Sequence, residues 1–200
     1  MATATYPVHL TVDYDAGPRN RLTVLLRPLV AIPVVIVLAA LGSSNSRGAT
    51  GVGVLFLATA LMLVFRRKYP GWWYEWNVNL LRFANRVFAY VFLLRDEYPA
   101  TDEEQHVHVI LPDPQGGLAL NRWMPLVKWF LAIPHLLLLV VMWIAAVLAT
   151  IASWFVILVT GHQPRSLHAF VVGVFRWTLR VEAYAFALVT DSYPPFRLAD

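Results

Sequence analysis

Between residues 123 and 160 the chain carries a single charged side chain, Lys128. A run this long and this apolar limits the fold more than any other feature. As one straight helix it measures roughly 57 Å at 1.5 Å per residue. The hydrocarbon core of a bilayer is about 30 Å thick. The run is therefore expected to be a helical hairpin that turns near residues 142–146. A second apolar run, 22–41, has Arg27 near its start, where a long side chain can reach the headgroups. A polar turn follows at 42–50, then a shorter apolar stretch, 51–65, ended by Arg66, Arg67 and Lys68. The composition agrees with the runs: 58% hydrophobic and 14% charged residues, against about 45–50% and about 25% in soluble domains. That balance argues against a disordered chain, a water-soluble enzyme or a small secreted scaffold. The absence of cysteine removes disulfides, thiolate catalysis and thiolate metal sites.

Two further segments are helical but differently patterned. Tyr69-Pro70-Gly71 is followed by Trp72, Trp73, Tyr74 and Trp76. Aromatics beside a basic triplet mark a membrane–water interface, so Trp72, Trp73, Trp76, Arg66, Arg67 and Lys68 are expected to be interfacial anchors. Over 72–94, Glu75, Asn79, Arg82 and Arg86 fall on one face at about 100° per residue, as expected of an amphipathic interfacial helix. Residues 165–190 form its counterpart. Residues 6–14 and 106–111 alternate apolar and polar side chains, the period of a strand. Neither is stable alone, so they are expected to pair in one small sheet.

These segments recur in order. Arg82, Arg86, Val87, Ala89 and Tyr90 match Arg176, Arg180, Val181, Ala183 and Tyr184. Ala31-Ile32-Pro33 matches Ala132-Ile133-Pro134, Arg27 falls opposite Lys128, and Tyr98-Pro99 matches Tyr193-Pro194. The sequence thus predicts two tandem repeats, 1–99 and 100–200, which together form one membrane-embedded domain. Each repeat is a strand, an apolar helical hairpin and an amphipathic interfacial helix. The fold class is all-α membrane protein with a minor β element.

The stretches LVKWFLAIPH (126–135) and TGHQPRSLHAFVVGVFRWTLRVEAYAFALVTDSYPPF (160–196) resemble the bacterial membrane family called domain of unknown function 4389. That family's segments look like "LVKWLLAIPH", "TGRYP", "FRW-LRV-AY" and "TDRYPPF". The likeness is strong over 123–197 and weaker over 6–99, where Val34 stands in place of the histidine; Gln163 departs from the usual tyrosine. The resemblance implies a polytopic protein of the bacterial cytoplasmic membrane, present here as two copies, and implies no activity.

With hairpin turns at 42–50 and 142–146, Arg47 is the one basic residue on the turn side, and the other 15 Lys and Arg lie opposite. Excess Lys and Arg marks the cytoplasm. This predicts four crossings, both termini inside and parallel repeats; inverted repeats with six crossings are the competing arrangement. Arg82, Arg86, Arg176 and Arg180, with Tyr90 and Tyr184 a turn further on, are the candidate anion site. Guanidinium suits the planar contact to lipid phosphate. Gly173 would admit a neighbouring backbone or headgroup. The bland alternative is a face that is solvated or paired internally, with Glu75, Glu182, Asp96 or Asp191. His106 and His108 share a strand face but are too few to hold a metal. His135 has no second histidine to serve a haem. No cofactor is expected, and no phosphate loop, nucleophile elbow or HExxH motif occurs. Anionic lipids and another membrane protein are the expected partners, and nucleic acid is not. The function classes are an accessory or scaffold subunit, a lipid or small-solute carrier, and an enzyme acting on lipid.

Overall fold

The computed structural model describes residues 6–42, 51–101, 103 and 105–199, with the side chains of the second helix from Phe56 onward. From residue 43 the polar turn expected at 42–50 lies outside them. Among the described residues the chain is mostly helical. In order it forms strand β1 (His9–Val12), helices α1 (Arg21–Gly42), α2 (Gly51–Arg66) and α3 (Gly71–Val91), strand β2 (Val107–Ile110), and helices α4 (Pro125–Thr160) and α5 (Arg165–Ala185).

The two strands pair as the alternation predicts. They are antiparallel, with His9 opposite Ile110 and Val12 opposite Val107. Val8, Leu10, Val12, Val107 and Val109 form the buried face, while Thr11 and His108 face outward. The sheet rests on α3 and α5: β1 packs against α5, and β2 against α3. Beneath that layer α3 packs on α1 and α5 on α4, and both α1 and α2 lie along α4. The molecule therefore has three layers: sheet, amphipathic helices, apolar helices.

The expected turn at 142–146 is absent. α4 is one helix of 36 residues. Met142-Trp143-Ile144-Ala145-Ala146 contains no glycine, proline or polar side chain that could end a helix. The break comes instead at Gly161, which adopts φ 77° and returns its N–H to the Ile157 carbonyl at 2.8 Å. Such a left-handed glycine cap is what a helix C-terminus favours.

The first half does not fold back either. Arg21, at the start of α1, donates to the Val159 carbonyl at the end of α4 (3.0 Å), and Trp154 donates to the Val24 carbonyl (3.1 Å). Arg122, just before α4, donates to the Val64 carbonyl at the end of α2 (2.5 Å). So α1 begins where α4 ends, and α2 ends where α4 begins. Together they run the length of α4 in the opposite direction.

α3 and α5 both stop before their expected ends at 94 and 190. Each is followed by a buried leucine in the left-handed region, Leu93 (φ 62°) and Leu188 (φ 55°). That conformation costs roughly 1–2 kcal/mol for a residue with a side chain. Burial of both leucines offsets it, and the chain is turned so that the next residues meet α1 and α4.

Candidate functional site

Two charged clusters lie at opposite ends of the apolar layer. In the first, Arg27 of α1 and Arg19 both reach the same carboxylate oxygen of Asp96; Arg19 does so at 2.5 Å. Arg27 also donates to the carbonyls of Tyr90 (3.3 Å) and Arg95 (3.0 Å), and its guanidinium lies 4.7 Å from the centre of the Tyr90 ring. Arg19 donates to the Leu94 carbonyl and to Gln163 Oε1. Both arginines are buried. In the second cluster Lys128 of α4, 0% exposed, donates to the Thr190 carbonyl at 2.7 Å and lies 2.6 Å from Asp191 Oδ1. Its ammonium is 5.2 Å from the Tyr184 ring centre. Asp191 Oδ2 accepts the N–H of Asn121 at 2.6 Å.

The clusters share a plan. A cation on an apolar helix, six residues before a proline, meets an aspartate that follows an amphipathic helix, beside two tyrosines in edge contact. Those pairs are Tyr90 with Tyr98 (5.5 Å) and Tyr184 with Tyr193 (5.8 Å). Burying a charge is tolerable only when it is paired and hydrogen-bonded, so each helix can carry its cation only because the return segment delivers a carboxylate. These partners were half visible in the sequence, where Arg27 falls opposite Lys128 and Tyr98-Pro99 opposite Tyr193-Pro194. The aspartate two residues before each tyrosine completes that signal.

The four expected arginines serve different segments. Arg82 is exposed and within 3.4 Å of Asn79. Arg86 donates to the Ala100 carbonyl at 2.9 Å. Arg176 donates to the carbonyls of Leu10 and Leu198, each at 3.1 Å. Buried Arg180 donates to those of Arg197 (3.2 Å) and Ala199 (3.0 Å), and lies over the Tyr6 ring. Tyr90 and Tyr184 belong to the ion-pair clusters. Gly173 admits a backbone: a Cβ there would lie 2.9 Å from Leu198 Cβ and 3.3 Å from the Leu198 carbonyl oxygen.

Among the expected anchors, Trp72, Trp76, Arg66, Arg67 and Lys68 are exposed, while Trp73 donates to Thr59 Oγ1 at 2.8 Å. His106 and His108 lie 3.2 and 3.8 Å from Asp13 Oδ2. His135 is buried. Its Nδ1 accepts from Trp177 at 3.0 Å, so its hydrogen resides on Nε2, and its ring stacks on Phe196 at 3.8 Å. A groove of about 420 Å³ opens between α1, the end of α3 and α4; Arg27 is the one charged residue on an otherwise largely apolar wall.

Residues 122–197 match one family model, described as "Domain of unknown function (DUF4389)". The match is a single stretch that takes in α4, α5 and the Lys128–Asp191 cluster. No curated protein and no solved structure matches the chain.

Proposed function

We propose that this protein is an accessory or scaffold subunit of a complex in the bacterial cytoplasmic membrane, with both termini on the cytoplasmic side and a basic rim that contacts anionic lipid. The observation that carries this reading is the outward surface of α1 and α4. Both are long and apolar enough to cross a membrane, yet only 22% of the residues in the most apolar stretch of each are buried. Leu22, Leu29, Ile36, Leu137, Leu148 and Val159 are each more than 60% exposed. Apolar surface costs about 25 cal/mol per Å² when left in water, and a typical soluble monomer's largest exposed patch is about 300–600 Å². Hydrocarbon removes that cost. Exposed cations available to headgroups include Arg21, Arg66, Arg67, Lys68, Arg82, Arg122 and Arg165.

The reading includes two copies of one unit, 1–99 and 100–200. The matched pair of cation–aspartate–tyrosine clusters supports that duplication beyond the sequence register. A scaffold is favoured over a carrier because Arg27, Lys128, His135 and Thr150 of the apolar helices each bond within the chain. The groove beside Arg27 supports the second reading, a carrier holding a lipid chain. Native mass spectrometry of gently extracted protein separates them. A stoichiometric protein partner is the expected result. A bound lipid on an otherwise solitary chain favours the carrier, and a bare monomer overturns both.

A further inference from the structure

We infer that α1, α2 and α4 lie flat in one leaflet, in the plane of the membrane, with the acyl chains of that leaflet covering their outer faces, and that neither α1 nor α4 crosses. This rests on the membrane reading above and says how the protein meets its lipid.

The layer order carries the argument. Arg176 of α5 bonds the Leu10 carbonyl in the middle of the sheet, and Thr178, two residues on, accepts a hydrogen bond from Trp143, halfway along α4. The sheet therefore sits over the midpoint of α4, not at either end. Were α4 upright, that midpoint would be the bilayer centre. His106, His108 and Asp13, whose side chains are 54–56% exposed, would then face hydrocarbon. A charged side chain at that depth costs about 2.5–3.5 kcal/mol even on the lenient scale. With α4 lying flat, the same sheet stands above the interface in water.

Charge agrees. The exposed Arg66, Arg67, Lys68 and Arg122 gather at the N-terminal end of α4, and the exposed Arg21 and Arg165 at its C-terminal end. A crossing protein concentrates Lys and Arg on one side; an upright α4 would divide them. Lying flat, both groups meet one headgroup layer.

The helix faces agree as well. Val24, Arg27, Ala31 and Val34 form the buried stripe of α1, and Lys128, Ala132, His135, Leu139, Ala146, Ser153 and Ile157 that of α4. The charged side chains lie on the inner stripe, and the exposed remainder is apolar apart from the helix ends. A 36-residue helix measures about 54 Å, which mismatches a core of about 30 Å only if it stands up.

The chain has no cysteine, so a double variant reads the arrangement directly. Lys68→Cys and His162→Cys put exposed thiols near the two ends of α4. The full chain is reconstituted into phosphatidylethanolamine–phosphatidylglycerol vesicles, treated with a membrane-impermeant maleimide, and weighed. Detergent-solubilised protein must first accept two tags. In vesicles, molecules lying flat carry two tags or none, according to the leaflet they occupy. Molecules that cross carry one tag each, which overturns the inference. Parent protein, without substitutions, that fails to float with vesicles overturns the membrane reading itself. Arg66→Cys with Arg165→Cys provides a second pair if the first does not insert.

Discussion

Asp191→Asn removes the carboxylate from a lysine that has no access to water. Lys128 is 0% exposed, and its ammonium is left with the Thr190 carbonyl at 2.7 Å and the Tyr184 ring at 5.2 Å. Breaking a fully buried pair costs about 3–5 kcal/mol. Here the remaining carbonyl and ring retain part of the stabilisation, and the Asp191 side chain is 26% exposed, which bring the expected loss to about 2–4 kcal/mol. Asparagine keeps an acceptor for the Asn121 N–H, so the change isolates the charge. Lys128→Met on the same background removes the stranded cation, and replacing a buried pair by apolar volume is often neutral. The double variant should therefore return to within about 1 kcal/mol of the parent. Chemical unfolding in mild detergent, run as a double-mutant cycle, measures all four corners. The losses should barely change with salt, because buried pairs are poorly screened. A single variant as stable as the parent, or a double variant as damaged as the single, would refute the electrostatic account of this cluster.

Two other perturbations test the middle layer. Burial pushes Glu182 up to about 7, so the unfolded chain, with its ordinary value of 4.5, ionises first. The stabilisation from neutral Glu182 is complete below pH 4.5 and is lost as pH rises through 7. Glu182→Gln should therefore gain stability relative to the parent between pH 5 and pH 8, read as the difference between their unfolding midpoints; a constant difference contradicts this. Gly173→Ala forces the tail away from α5, since the new methyl would meet Leu198 at 2.9 Å. Overpacking costs about 1–3 kcal/mol, partly offset by alanine's helix preference of about 1 kcal/mol, so the clear readout is local: carboxypeptidase should trim residues 196–200 faster, and unchanged trimming would show that the tail is not held there.

The sheet and the starts of the helices were legible because both rest on local patterns. Alternation at 6–14 and 106–111 needs no knowledge of the surroundings, nor does the arginine spacing in α3 and α5. The turn expected at 142–146 rests on no local pattern. It rests on the length of a helix standing along the bilayer normal, while the residues themselves contain nothing that stops a helix. The spacing of the arginines is a local pattern, but their partners are not. Arg86, Arg176 and Arg180 donate to backbone carbonyls at Ala100, Leu10 and 197–199, and a carbonyl acceptor leaves no mark on residue identity. Asp96 and Asp191 were recognisable as possible partners, but for the wrong cations.

The proposed duplication and the flat arrangement bear on one another. Antiparallel strands are related locally by a twofold axis through their ladder. Under the proposed duplication that axis passes between α4 and the antiparallel α1–α2 pair and exchanges one for the other. The same exchange relates Arg21 with Val159 to Arg122 with Val64, and Arg27 with Asp96 to Lys128 with Asp191. With α4 upright, such an axis lies in the membrane plane and sends one ion-pair cluster to each face. With α4 flat it lies along the normal, and both clusters sit at one depth beside one headgroup layer, where a single solution of buried cation, aspartate and tyrosine serves twice. The halves differ where the axis permits it at least cost. From Pro33 to Arg82 the chain takes 49 residues, and from Pro134 to Arg176 it takes 42. The surplus falls between α1 and α2, where the second half runs on as one helix, so the difference in length lies outside the residues that build either cluster.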